Sequence, residues 1–128
     1  FGSQLLIKEN AEKLGVSPKK IIESDIKIFL TNNLKNIFSR SNRVVIGGCD
    51  KETKIEIIEN ISKFLQRGDI IVLPIITFET LQEVSNCLRQ LNFETSMNLI
   101  QTFKGLSISE GTRFEPNNPV FIIKGRKK

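Results

Sequence analysis

Apolar residues recur at three- and four-residue spacing in four stretches of the chain, and each stretch predicts an amphipathic helix. Residues that commonly cap helices precede three of these stretches. The predicted helices cover residues 3–14, residues 26–38, the segment between Asp50 and Gly68, and the segment from Thr77 to Leu91.

Short apolar runs lie between the helices and predict strands at residues 20–23, 43–46 and 70–76. The run at residues 43–46 has no polar alternation, which is typical of a strand buried on both faces. Because helices and strands alternate, the chain is expected to adopt an α/β fold with right-handed crossovers and a mainly parallel sheet.

The C-terminal quarter breaks this alternation. Residues 93–103 alternate as a half-exposed strand does, and residues 120–123 form another apolar run. A loop is expected between these runs, containing Gly105, Gly111, Pro116 and Pro119. Two strands joined without a helix run antiparallel, so the sheet is expected to end in a hairpin.

The composition narrows the possible chemistry. The 128 residues include no His, which excludes Ser-His-Asp and Cys-His sites, histidine metal ligands and a histidine base within this chain. Cys49 and Cys87 lie beside apolar residues and are expected to be small buried thiols in a cytoplasmic protein. No metal site is expected. No membrane span is expected, because no apolar run approaches the roughly 18 residues that a span needs. No leader is expected either, because no basic and then apolar segment opens the sequence.

Most of the formal net charge of +5 lies in residues 104–128. Lys104 and Arg113 flank the predicted hairpin loop and are candidates for contact with an anionic ligand, whereas residues 126–128 are expected to be a solvated end. Nucleic-acid binding is not expected, because most of the nine Phe residues fall on core positions rather than between basic residues of one surface.

Three turns follow the predicted strands at their carboxyl ends, where open parallel sheets bind ligands. They are Ser24-Asp25-Ile26, Gly47-Gly48-Cys49-Asp50 and Ile76-Thr77-Phe78-Glu79-Thr80. The glycine pair suits either a ligand that approaches the backbone closely or an ordinary turn. Asp25 suits either a helix cap or a ligand contact, and Glu79 fits better as a helix first-turn acid.

Several segments also stand in a recognisable order. They are Ile7-Lys8-Glu9-Asn10-Ala11-Glu12 with Gly15, Glu23-Ser24-Asp25, Val45-Ile46-Gly47-Gly48, Arg67-Gly68-Asp69-Ile70-Ile71-Val72, Glu79-Thr80-Leu81, Gly111-Thr112 and Asn118-Pro119-Val120. By their order and spacing, the chain from about Leu5 to Gly125 resembles the decarboxylating precorrin C15-methyltransferases of cobalamin biosynthesis, including the C-terminal half of the precorrin-6Y C5,15-methyltransferases.

The resemblance implies a Rossmann-like class I methyltransferase fold that uses S-adenosylmethionine. Residues 1–128 would be a single partial domain, the C-terminal portion, because the family's first two strands would lie before Phe1. Such a sheet has a gap, so residues upstream are expected to complete it, or the strand at residues 20–23 has re-paired or met another chain. This piece alone is expected to bind cofactor weakly and to be inactive.

The resemblance also assigns site residues. The turn against the adenine matches Ser24, Asp25 and Ile26, and with Gly47 and Gly48 these are the cofactor-binding candidates. Lys104 and Arg113 are the candidates for binding a polycarboxylate tetrapyrrole, and a homo-oligomer is expected. No catalytic residue is assigned, because methyl transfer from a sulfonium needs orientation more than a strong base.

Two segments depart from the family pattern. Cys49-Asp50-Lys51 follows the glycine pair where Ser-Gly-Gly is common, and Lys104-Gly105-Leu106 stands where Arg-Gly-Arg is common. Two alternatives therefore stay open, namely a methyltransferase of other small-molecule specificity and a non-catalytic assembly domain of the same fold. Methylation of nucleic-acid amines is disfavoured, because no Asn-Pro-Pro-aromatic or Asp-Pro-Pro-aromatic sequence follows residues 43–46.

Overall fold

The computed structural model describes residues 3–32, 38 and 42–128. The chain divides into two compact units, Phe1–Asn33 and Leu34–Lys128. Its elements are α1 (Ser3–Lys13), α2 (Ile26–Asn32), β1 (Arg43–Val45), α3 (Lys51–Ser62), β2 (Ile70–Ile75), α4 (Phe78–Gln90), β3 (Phe93–Ile100), β4 (Phe103–Ile108), β5 (Gly111–Pro116) and β6 (Val120–Lys127).

In its described residues, the first unit contains two helices and no strand. Gly15 follows α1 in the left-handed conformation, with φ 65°, as the sequence predicts. Asp25 caps α2, because its carboxylate accepts a hydrogen bond of 2.8 Å from the backbone N–H of Lys27. The predicted strand at residues 20–23 is wrong, since no described strand lies alongside to pair with its backbone groups.

The structure describes only part of the second predicted helix. Its helical part is Ile26–Asn32, and the predicted apolar positions Leu34 and Ile37 lie outside the described residues, as do residues 39–41 of the connection that follows. Phe38 is not helical, and its ring stacks on that of Phe64 with 5.9 Å between the ring centroids. The spacing predicts that Phe38 lies on the apolar face of a helix. The structure instead places its side chain in an aromatic contact.

The second unit is built on a four-stranded mixed sheet with the order β1-β2-β6-β3. β1 and β2 are parallel, and β6 is antiparallel to both β2 and β3. The predicted α/β fold and the antiparallel pairing of the last two predicted strands are therefore confirmed, and among the described strands of this mixed sheet only β1 and β2 run parallel. The returning strand β6 lies inside the sheet, between β2 and β3, rather than at its edge.

The core of this unit lies where α3, α4 and the sheet bury alternate apolar side chains. β2 alternates between half-buried and buried positions, so one of its faces turns inward. Fully buried side chains from these elements include Ile58, Ile71, Leu73, Val84, Leu88 and Ile123. Gly125 in β6 allows this packing, because a Cβ there would lie 3.2 Å from a methyl carbon of Leu88 and 3.3 Å from the ring of Phe93.

Two predictions about β1 and α3 are corrected. β1 is not buried on both faces, because it pairs with β2 alone among the described strands and Val45 is 73% exposed. α3 begins after Asp50 as predicted but ends at Ser62, with Lys63 as its C-cap, rather than at Gly68. Gly68 instead has φ 92° and leads into β2, where its N–H donates to the carbonyl of Lys127.

The predicted loop before β6 is a second, two-stranded sheet. β4 and β5 pair antiparallel, with Gly105 opposite Phe114 and Ile108 opposite Gly111. At its base, the Gln101 side chain donates to the carbonyl of Asn117. Gly105, Gly111 and Pro116 therefore lie within a hairpin, because pairing between the strands overrides local propensity, whereas Pro119 lies in the connection to β6.

The basic C-terminus is also more ordered than a solvated end. β6 extends to Lys127, whose backbone N–H donates to the carbonyl of Asp69 at 2.9 Å. The Lys127 ammonium lies 4.6 Å from the centre of the Phe93 ring and donates to the carbonyl of Leu91 at 2.7 Å. Lys127 therefore packs into the end of the sheet.

Candidate functional site

A cleft of about 670 Å³ opens beyond the carboxyl ends of β1 and β2, within the second unit. Parallel strands commonly present ligand sites at this edge, where the following helices begin. The cleft is lined by Gly48, Cys49, Asp50, Lys51, Lys54, Pro74, Ile75, Ile76, Thr77, Thr80 and Val120. Two of the three turns predicted from the sequence, those after β1 and β2, therefore meet here.

Capping residues hold the beginnings of α3 and α4 at this cleft. The Asp50 carboxylate accepts hydrogen bonds from the backbone N–H and the hydroxyl of Thr53, both at 2.8 Å. The Thr77 hydroxyl oxygen accepts a longer one, 3.4 Å, from the backbone N–H of Thr80. Because a helix N-terminus carries a partial positive charge, two such ends in one cleft favour an anionic group there.

Two lysines add full positive charges to the same side of the cleft. Lys51 Nζ lies 2.9 Å from Glu83 Oε1 and 3.6 Å from Glu52 Oε1. The hydrogen bond to Glu83 and the charge of that carboxylate raise the pKa of Lys51 above its usual value. Lys54 is only 7% exposed, and its ammonium donates to the backbone carbonyl of Cys49.

The ends of β2 and β6 add apolar side chains to the lining of the cleft. Pro74 and Ile75 end β2, and Val120 begins β6 beside them. Ile76 follows β2 with 74% of its side chain exposed, although it lies next to a buried strand end. Apolar side chains and cationic groups in one cleft suit a ligand with a hydrophobic body and anionic substituents.

The two thiols occupy different environments. Cys87 is buried as predicted, and burial raises the pKa of its thiol, with a further rise from the charge of Glu59. The prediction for Cys49 is wrong, because it is half-buried and lines the cleft. In the described part of the chain, no group of three His, Cys, Asp or Glu side chains is arranged to hold a metal ion.

The glycine pair has open space around it. Neither Gly47 nor Gly48 has a positive φ, and no heavy atom lies within 4 Å of the position that a Cβ would take at either residue. The backbone conformation therefore does not require glycine, and a ligand has room to approach the main chain closely. This geometry favours the ligand-contact interpretation over the ordinary turn.

The other predicted site residues belong to the first unit or to the hairpin. Ser24, Asp25 and Ile26 belong to the first unit, at the beginning of α2. Lys104 and Arg113 lie on β4 and β5, exposed, and neither lines the cleft. In the hairpin register, Lys104 stands opposite Glu115.

The sequence interpretation missed Lys54 and assigned no ligand role to Lys51. The available signal was their spacing of three residues in the first helical turn after Asp50, which places both side chains at the head of one helix. That signal alone does not distinguish a cleft from a solvated face. None of the helices in the described residues has the length and apolarity needed to cross a membrane.

Comparisons with known proteins give three informative matches, although no family model matches the chain. A probable cobalt-precorrin-6B C(15)-methyltransferase (decarboxylating) of Sulfurisphaera tokodaii is 30% identical over 95% of the chain. The structure of a precorrin-6Y C5,15-methyltransferase from Geobacter metallireducens aligns with TM-score 0.74 and 26% identity over 95% of the chain. That of a precorrin 8w decarboxylase from Methanobacterium thermoautotrophicum aligns with TM-score 0.72 and 25% identity over 92%.

These matches concern part of each relative. The chain spans 60% of the length of the Sulfurisphaera protein, 60% of the Geobacter chain and 61% of the Methanobacterium chain. Over that part the backbone agreement is high, and the predicted class I methyltransferase fold is confirmed. The identity of about 30% leaves room for differences in the residues around the cleft.

Proposed function

Since this chain is similar to the decarboxylating precorrin C15-methyltransferases over about 95% of its length, we propose that it forms part of an S-adenosylmethionine-dependent enzyme of this type. The proposed reaction methylates a precorrin at C15 and decarboxylates a ring acetate, which releases its carboxyl carbon as carbon dioxide and, after protonation, leaves a methyl group on the ring, in cobalamin biosynthesis. The observation that carries the proposal is the cleft at the ends of β1 and β2, which combines apolar side chains with cationic groups. A tetrapyrrole with many carboxylates has the complementary chemistry.

The residues around the glycine pair fit a bound S-adenosylmethionine, because the missing Cβ atoms of Gly47 and Gly48 leave the backbone open. When bound, the cofactor supplies an electrophilic methyl group. In the first unit, Asp25 Oδ1 accepts from Lys27 N–H, and Oδ2 accepts no hydrogen bond within the described ranges and is available to a ligand hydroxyl. We assign the adenosine to Ser24, Asp25 and Ile26 as the resemblance implies.

The contribution of this chain to the reaction is binding and orientation. The apolar side chains Ile76 and Val120 exclude water from one side of the cleft and would hold the flat face of the macrocycle. Exposed Lys104 and Arg113 on the hairpin would pair with carboxylates at the rim of the substrate. No histidine is required for such positioning, in keeping with a chain that contains none.

The test is methyl transfer by the natural protein that contains this chain. Incubation with methyl-labelled S-adenosylmethionine and the precorrin should place one labelled methyl on the macrocycle and release one carbon dioxide. The Gly48→Val variant should lose transfer but keep its melting temperature, because the open space at Gly48 accepts a side chain without a clash. The matched control is Lys63→Met at the exposed C-cap of α3, which should keep full activity.

The outcomes separate the alternatives. Labelled methyl without carbon dioxide release indicates a methyltransferase of other specificity. Failure to bind S-adenosylmethionine at all indicates a non-catalytic assembly domain and contradicts the proposal. Full activity of Gly48→Val removes the glycine pair from the cofactor site. Binding to the 128-residue chain alone is expected to be weak.

We also propose that the protein is a homo-oligomer that associates through the β4–β5 hairpin. A two-stranded hairpin is marginally stable in water by itself. Its apolar side chains Phe103, Ile108 and Phe114 are 60%, 47% and 70% exposed, so a second copy would cover apolar surface. Light scattering after gel filtration should give a multiple of 14.5 kDa, and Phe114→Ser should lower that mass. A monomeric wild-type chain contradicts the proposal.

A further inference from the structure

One cation in the cleft, Lys54, has no ion pair with any residue that the structure describes. Lys54 is buried, and its ammonium makes one hydrogen bond, to the carbonyl of Cys49. Across residues 3–32, 38 and 42–128, no carboxylate lies within 4 Å of Lys54 Nζ, whereas Lys51, three residues earlier, is paired with Glu83. An ammonium can donate three hydrogen bonds, and the described residues accept one of them from Lys54, so two donors can serve a ligand.

Two helix N-termini at the cleft add partial positive charge near Lys54. The Asp50 carboxylate is turned towards the head of α3, where Thr53 donates to both of its oxygens. The backbone N–H groups of Lys51 and Glu52 have no partner among the described residues, as expected for the first turn of a helix. The N-terminus of α4 meets the same cleft through Thr77 and Thr80.

Burying a cation without a counter-ion is costly, and proteins offset that cost by pairing the charge. A ligand carboxylate in the cleft would provide both the negative charge and acceptors for the two remaining donors of Lys54. Such an anion would also receive hydrogen bonds from the helix N-termini. The buried lysine and the two helix ends are independent features that favour the same ligand chemistry.

We propose that Lys54 and the N-terminus of α3 bind a carboxylate side chain of the tetrapyrrole substrate, with the macrocycle against Ile76 and Val120. This assignment rests on the proposed function for the identity of the ligand. The carboxylate of S-adenosylmethionine is the other source of this chemistry. Lys54 is then a substrate-positioning residue that the sequence interpretation did not find.

The first experiment tests the site without the tetrapyrrole. Succinate is titrated into the 15N-labelled chain while backbone amide shifts of residues 51–54 and 78–80 are followed. We expect saturable shifts in the wild type and at least tenfold weaker binding in Lys54→Gln, which retains a donor for Cys49 but removes the charge. Lys54→Arg and the control Lys63→Met should bind as the wild type does. Equal binding by Lys54→Gln overturns the site.

The second experiment tests the ligand. Uroporphyrin carries eight carboxylates, and its octamethyl ester is the same macrocycle without charge. We expect the acid to bind, measured by porphyrin fluorescence anisotropy, to slow alkylation of Cys49 at least fivefold, and to bind at least tenfold more weakly to Lys54→Gln. The ester should do none of these. Equal binding of acid and ester overturns the assignment.

Other outcomes separate the two proposals. Succinate binding that depends on Lys54, together with no uroporphyrin binding, overturns the assignment to the tetrapyrrole. Competition of S-adenosylmethionine with succinate for the amides of residues 51–54 reassigns the site to the cofactor and also overturns it. The methyl-transfer assay described above decides the proposed function independently of both titrations.

Discussion

Asp69 links three segments of the second unit through one buried carboxylate. It accepts hydrogen bonds from the backbone N–H and the side-chain amide of Asn42, both at 2.8 Å, and from the backbone N–H of Gln66 at 2.9 Å. Burial raises the pKa of Asp69. These hydrogen bonds and the charge of Arg43 together lower it by more than burial raises it, so the pKa lies below its usual value. Asp69 thereby fixes the start of β2 next to β1.

Replacing Asp69 with Asn should destabilise the protein by about 2 kcal/mol at pH 7, because an amide cannot accept all three hydrogen bonds. A carboxylate with a lowered folded-state pKa stabilises fully above its unfolded pKa of about 4 and loses that contribution as the pH falls through the folded pKa. The difference in the free energy of unfolding between wild type and variant, measured by urea unfolding, should therefore shrink below pH 4. Glu110→Gln, in the exposed hairpin turn, is the control and should change little. A pH-independent difference contradicts this account.

The two thiols should react at very different rates. Cys49 is half-buried at the cleft, whereas Cys87 is buried with a raised thiol pKa that disfavours the reactive thiolate. Alkylation with iodoacetamide at pH 8 should modify one thiol rapidly, and peptide mapping should place it at Cys49. Cys49→Ser should abolish the fast phase. Rapid modification of Cys87 in the folded chain would show that α4 opens readily.

At the scale of elements, the sequence predicts the starts of α3 and α4 correctly from capping residues and apolar spacing. The caps Asp50 and Thr77 and the spacing of apolar residues place the starts of α3 and α4 correctly, because both signals act within one or two turns. Residues 20–23 contain the β-branched pair Ile21-Ile22, which predicts a strand, and they form no strand in the structure. A strand depends on a neighbour that is distant in the sequence, and residue pattern alone does not supply that neighbour.

The hairpin β4–β5 shows the opposite error. Gly105 and Gly111 indicate a loop by composition, yet Gly105 pairs opposite Phe114 inside a regular antiparallel ladder. A Cβ at Gly105 would lie 3.3 Å from a methyl carbon of Thr112, so close side-chain packing accounts for glycine there. Only the pairing across strands distinguishes this glycine from one in a turn.

The packing of α4 on the sheet depends on Gly125. Gly125→Ala should destabilise the protein by about 1–3 kcal/mol, since the new methyl group would lie 3.2–3.3 Å from the buried side chains of Leu88 and Phe93. Gly47→Ala is the matched control, and it should leave stability nearly unchanged because open space surrounds that position. Chemical denaturation of both variants measures the difference. Equal stability would mean that Leu88 and Phe93 relax at little cost.

At the scale of the whole molecule, the basic charge should appear as salt-dependent ligand binding. The formal net charge is +5, and Lys104 and Arg113 are exposed, so their pairing with carboxylates is screened by salt. Raising KCl from 50 to 500 mM should weaken uroporphyrin binding by about tenfold. Lys54 is buried and its contribution should persist at high salt. Salt-independent binding would exclude the exposed cations from the ligand site.

Sequence alone determined the alternation of helices and strands, the helix caps, the excluded histidine chemistry and the family resemblance. Each of these depends on residue type and short-range spacing, which the linear order of residues contains. The tertiary structure decided that β6 lies between β2 and β3, and that Lys54 is buried at a cleft where no carboxylate of the described residues pairs with it. These features depend on contacts between residues far apart in the chain, whose energies appear only when the elements pack together.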